Sequence, residues 1–146
     1  MKIVLSSDHA GFELKGQIIE HLRESAHELE DLGPFEAVSV DYPDFGAAVG
    51  RAVASGQADV GIAVCGSGIG IAIAANKIDG VRAATVHDVT SARLSKEHND
   101  ANVLCLGQRF LGVQTALDSV DAYLSATFAG GRHARRVEKI KQLDSE

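Results

Sequence analysis

Hydrophobic residues follow two rhythms along this chain. Five short apolar runs, Ile3–Ser6, Glu28–Leu32, Val60–Cys65, Val81–Val86 and Val103–Leu106, have the length of buried strands. Between them the spacing changes to about 3.6 residues. Phe12–Leu22 sets Phe12, Leu14, Ile18, Ile19 and Leu22 largely on one side of a helix, with polar positions supplied by Lys15, Glu20 and Arg23. Similar helices are predicted over Phe45–Ala54, Ile69–Asn76, Thr90–His98 and Val113–Ala126, and a basic helix from about Arg132, after the turn Ala129-Gly130-Gly131. Strand and helix alternate throughout. Such alternation implies parallel βαβ units with right-handed crossovers, because parallel strands need helices over both faces of their sheet. The expectation is a Rossmann-like, doubly wound α/β fold with five parallel strands. A length of 146 residues suits one core and is too short for two typical domains, so a single domain over 1–146 is expected.

Charge and cysteine usage narrow the function. A net charge of -6 disfavours a nucleic-acid surface, whose phosphates require a basic stripe. No uninterrupted apolar run of membrane length occurs, and MKIVLSSDH reaches Asp8 before a signal core forms, so a cytoplasmic protein with no membrane partner is expected. Cys65 and Cys105 fall in different strand-like runs without metal-ligand spacing. Neither a disulfide, a metal nor a cofactor is expected, and any special cysteine acts as a thiol.

In open parallel sheets, ligands bind beyond the carboxyl ends of the strands. Those ends here are Ser6-Ser7-Asp8-His9, Cys65-Gly66-Ser67-Gly68, His87-Asp88 and Gly107-Gln108-Arg109. The most informative is the third, where a buried strand runs into Cys65-Gly66-Ser67-Gly68-Ile69-Gly70 and then a small-residue helix. Its backbone N–H groups and the positive end of the helix dipole can hold an anion. Three familiar phosphate loops fail, two of them at Ile71: a dinucleotide GxGxxG needs glycine there and a cysteine-phosphatase loop needs arginine, while the Gly-Lys-Ser/Thr of a P-loop is absent. Taken singly, Cys65 reads as a small strand hydrophobe, Ser67 as a helix cap, His9 and His98 as surface or capping residues, and Arg132 to Lys141 as a solvated helix. A helix start beside Cys65 favours its thiolate, whereas Cys105, in mid-strand, fits a structural role.

Taken together, Ser7-Asp8-His9-Ala10-Gly11, Asp41-Tyr42-Pro43, Cys65-Gly66-Ser67-Gly68-Ile69-Gly70, Ala74-Ala75-Asn76-Lys77, Glu97-His98-Asn99-Asp100-Ala101-Asn102-Val103 and Gly130-Gly131-Arg132-His133 resemble, in order and spacing, the signatures of the B-type ribose-5-phosphate isomerase family. The resemblance implies an aldose–ketose isomerase with Cys65 as carbon-proton base, Ser67 moving the proton between oxygens, His98 assisting ring opening and Asp8 orienting hydroxyls or acid–base groups. It implies a sugar-phosphate substrate held by Tyr42, Asn99 and the turn Gly66, Gly68, Ile69 and Gly70, with its phosphate on His9, Arg109, Arg132 and Arg136. Members with serine at the loop cysteine carry glutamate six positions on; Ile71 occupies that place, so this chain matches the cysteine form. A homodimer or dimer of dimers is implied too, with sites at the subunit boundary and some of His98, Asn99 and Arg109 supplied by the neighbour. Six-carbon aldose 6-phosphates (allose, galactose) are the alternative substrates. A non-catalytic sugar-phosphate module would not need Cys65, Ser67 and His98 together, and a nucleotide-binding module lacks its fingerprint at Ile71.

Overall fold

The computed structural model describes residues 1–145. Five strands, β1 (Lys2–Ser7), β2 (Glu28–Asp31), β3 (Val60–Cys65), β4 (Ala83–Thr85) and β5 (Val103–Gly107), form one sheet in the order β2-β1-β3-β5-β4. Every pairing is parallel, so the alternating pattern produces the doubly wound sheet expected of it. Six helices follow: α1 (Phe12–Leu22), α2 (Tyr42–Ala54), α3 (Ile69–Asn76), α4 (Val89–Asn99), α5 (Val113–Ser125) and α6 (Arg132–Lys141). None is long and apolar enough to cross a membrane.

The three central strands are buried along both faces, and two cores result. On one side Leu14, Ile18 and Leu22 of α1, Ala92 of α4 and Ala116, Val120 and Tyr123 of α5 pack on Ile3, Leu5, Ile62, Val64, Leu104 and Leu106. On the other, Val49 and Val53 of α2 and Ile71, Ala72 and Ala75 of α3 cover Val4, Ala63, Cys65, Val103 and Cys105. Neighbouring positions in each strand thus serve opposite cores, as a period of two requires.

Several boundaries differ from the sequence expectation for local reasons. α2 begins at Tyr42 rather than Phe45, because Asp41 stands in extended backbone and Pro43 is suited to a first helical turn. β4 keeps only Ala83–Thr85 of the expected Val81–Val86, since the Val81 N–H closes a turn onto Ile78 O and the Arg82 N–H bonds the Asn102 side chain. α3 is apolar around its circumference: Ile71 is fully buried, whereas Ile69 and Ile73 are 51% and 58% exposed. α6 lies outermost, with Val137 its buried anchor.

Candidate active site

The sheet order reverses between β1 and β3, and the chain ends there converge as the fold predicts. A cavity of about 590 Å³ opens at this point, lined by Asp8, His9, Ala10, Tyr42, Cys65, Gly66, Ser67, Ile69, Gly70, Ile73, Arg109 and Phe110. Cys65 ends β3 in the buried floor of the site. Its Sγ accepts the Gly68 N–H at 3.1 Å, so the sulfur's lone pairs, rather than its hydrogen, are engaged by the protein. Gly68 has φ +76, and a Cβ there would press within 2.8 Å of the Leu106 backbone; a side chain would open the turn that delivers this hydrogen bond. Ser67 Oγ accepts from the Ile69 N–H at 3.2 Å. The carbonyls of Cys65 and Gly66 are held by the N–H groups of Gln108 and Arg109 at 2.9 and 3.0 Å. The N–H groups of Gly66 and Ser67 bond no protein atom among the described residues and stand at the head of α3, where they can receive negative charge.

Around this turn, Arg109 lies over Gly66, so close that a Cβ there would come within 3.1 Å of its Nη1. Gly70 leaves room for Tyr42, whose ring Cε1 would be 2.5 Å from an added Cβ. Asp8, 6% exposed, accepts the Gly11 N–H at 3.0 Å and thereby fixes the short 3-10 turn that presents His9. His9 Nδ1 lies 3.2 Å from both the carbonyl and the N–H of Val40, in the segment leading to Tyr42. Ser6 Oγ bonds Phe45 O at 2.9 Å and ties the end of β1 to α2.

Cys105 is fully buried in mid-strand, and burial, with Cys65 nearby, pushes its thiol far above the ordinary range. Among the described residues no group of three or more His, Cys, Asp and Glu side chains is placed to hold a metal ion.

Within one chain the structure brings together Asp8, His9, Tyr42, Cys65, Gly66, Ser67, Ile69, Gly70 and Arg109, with Gly68 in the turn itself. It does not bring His98, Asn99, Arg132 or Arg136 to this cavity. Asn99 borders a separate cleft of about 270 Å³ with Asn76, Arg82 and Ile140, while His98 stacks on His133. Arg109, which the resemblance left open to the neighbour, lines its own chain's cavity. The His87-Asp88 strand end is not in the lining either: Asp88 caps α4 by accepting the Ser91 N–H at 2.6 Å, while His87 reaches the rim only through its tilted contact with Phe110. Phe110 and Ile73 were missed in the sequence. An aromatic directly after a rim arginine and an isoleucine one turn beyond Ile69 were the available signals.

Fold and site define an α/β protein with a ligand-sized cavity where the strand order reverses, a thiol at its floor and backbone N–H groups at a helix start beside it. The chain belongs to the Ribose/Galactose Isomerase family, whose model matches residues 3–140. It is 46% identical to ribose-5-phosphate isomerase B of Escherichia coli (strain K12), over 98% of this chain and 96% of that protein. The structure of Clostridium thermocellum ribose-5-phosphate isomerase B superposes with a TM-score of 0.96 at 52% identity, covering 98% of this chain and 97% of that one. That of the Mycoplasma genitalium enzyme with bound ribulose-5-phosphate gives 0.94 at 43% identity, covering 97% and 94%.

Proposed function

We propose that this chain is an aldose–ketose isomerase interconverting D-ribose 5-phosphate and D-ribulose 5-phosphate, with Cys65 as the carbon-proton base. The observation that carries the mechanism is the Cys65 sulfur, accepting the Gly68 N–H at the floor of the cavity beside the free N–H groups of Gly66 and Ser67. Ring opening breaks the bond between C1 and the ring oxygen: His98 gives that oxygen a proton, the C1 hydroxyl loses its own toward Asp8, and exchange with solvent returns both groups to their starting states. Cys65 as thiolate then takes the proton from C2, and the electron pair moves into the C1 carbonyl to form an enediolate. The N–H groups of Gly66 and Ser67 stabilise the negative oxygen. Ser67 carries the proton from O2 to O1, and Cys65 returns its proton to C1.

The groups missing from the cavity of one chain come from a second copy. α3 begins at the Cys65 turn and ends at Asn76, which borders the same cleft as Asn99. A two-fold axis through the exposed Ile69–Ile73 side of α3 would place the start of one α3 beside the end of the other, bringing the partner subunit's His98, Asn99, Arg132 and Arg136 toward the phosphate end of the cavity. Ile69, Ile73 and Phe110, each more than half exposed around the mouth, would be covered by that contact. A phosphorylated sugar does not cross membranes unaided, which suits a cytoplasmic enzyme.

A substrate panel tests the proposal. Ribose 5-phosphate is expected to turn over with a higher kcat/KM than allose 6-phosphate or galactose 6-phosphate. A preference for a six-carbon substrate would move the assignment within the family, and turnover of none would overturn the enzyme.

A further inference from the structure

Outside the Cys65 cavity two imidazoles lie face to face. His98, in the last turn of α4, and His133, in the first turn of α6, have ring centroids 4.2 Å apart and planes inclined by 13°. The chain is built to make this contact. The Ala129 N–H donates to Glu97 O at 2.9 Å, and Gly130 and Gly131 then turn the backbone into α6 at φ +62 and +54. The segment before His133 is therefore clamped to the same turn that carries His98. Both rings are half-buried, and among the described residues no hydrogen bond fixes either ring.

Among the described residues the unpaired charges beside the pair are positive. Arg132 and Arg136 flank His133 on α6. On α4 the nearby carboxylates are engaged elsewhere: Glu97 pairs with Arg93 at 2.6 Å, and Asp100 with Lys96 at 2.5 Å. Loss of water around the His133 ring, then His98, Arg132 and Arg136, hold the His133 imidazole below the usual histidine range. Two protons on rings this close, beside two guanidinium groups, would repel strongly.

We propose that His133 is a positioning residue for ring opening: its imidazole holds His98 in plane by stacking, and between them the two rings carry at most one proton, held more firmly once a phosphate dianion sits on Arg132 and Arg136. The proposal rests on the role given to His98 above. The anion cancels the guanidinium charge that opposes protonation, so substrate arrival loads the acid that ring opening needs. The chain thereby couples phosphate recognition to the protonation of the group that opens the ring.

The test has a spectroscopic arm and a kinetic arm. Imidazole Cε1–H resonances are titrated by NMR in the intact protein, with and without saturating sulfate, a dianion that does not itself titrate near neutrality. The His133 resonance is expected to titrate below the ordinary histidine range and to move up by about half a unit or more in sulfate. A His133 titration in the ordinary range and indifferent to sulfate would overturn the proposal. In kinetics, His133→Ala should lose roughly tenfold in kcat with KM changed less than about twofold, and His133→Phe, which keeps a flat ring, should recover most of that rate. A parental rate in His133→Ala, or equal impairment of both variants, would contradict it. His98→Ala serves as the separate control: if it opens the ring at the parental rate, the role of His98 fails, while the titration still decides the stack.

Discussion

At the residue scale, the site depends on which atom of Cys65 the protein engages. The sulfur receives an N–H from Gly68 and the turn offers further donors, so removing the thiol should abolish isomerisation while sugar-phosphate affinity stays nearly unchanged. Cys105→Ala, in mid-strand and fully buried, should keep its activity and lose only packing. Steady-state rates and ligand titration of Cys65→Ala and Cys105→Ala check both. Gly70→Ala puts a methyl where Tyr42 lies and should move that ring off the turn, raising KM by at least about tenfold, the equivalent of roughly 1.4 kcal/mol. Much of this was readable in the sequence, because a glycine-rich strand-to-helix turn leaves few geometries open. Arg109's position over Gly66 was not: its reach depends on how β5 and β3 sit side by side, which single-chain spacing does not encode.

At the scale of elements, helix ends and tethers hold the rim in place. Tyr123, buried on α5, donates its hydroxyl to Ala101 O at 2.7 Å and fixes the link from α4 to β5; burial pushes its phenol far above the ordinary range. Tyr123→Phe leaves that buried carbonyl without its donor and should cost about 1–3 kcal/mol in denaturant unfolding, with activity per folded molecule retained. Asp88 caps α4, and the Ser91 N–H, then the Ser91 hydroxyl, hold its carboxyl below the usual range. The native state therefore binds this proton less readily than the unfolded chain. The stabilisation is complete above about pH 4 and fades as pH falls through the lowered native value, so Asp88→Asn should flatten the acid side of the stability curve measured by thermal unfolding. The sequence located most elements within a few residues because apolar periodicity dominates their packing. It shortened α2 and lengthened β4, where Pro43 and the Arg82–Asn102 bond, rather than hydrophobic pattern, decide the ends.

At the scale of the whole molecule, the cavity of one chain gathers Cys65 and its glycine-rich turn but not His98, Asn99, Arg132 or Arg136, and α3 presents isoleucines to solvent beside the gap. The resemblance already implied a site at the subunit boundary, but it left Arg109 open to the neighbour and gave no subunit for Arg132 and Arg136, because a motif does not say which chain faces which cavity. Mixing Cys65→Ala with Arg132→Ala protein, each inactive or nearly so, should restore activity toward about a quarter of the parental value, since random exchange makes half the dimers mixed and one of their two sites intact. Light scattering alongside the assay establishes that subunits have associated. Carbon-proton transfer by Cys65 can be watched directly by following ribose 5-phosphate by NMR in deuterated water with the parental protein and with Cys65→Ala. The parental protein is predicted to form ribulose 5-phosphate and to place deuterium on the carbon that receives the proton, and Cys65→Ala to do neither while still binding the sugar. Exchange and isomerisation by Cys65→Ala at near the parental rate would contradict the account.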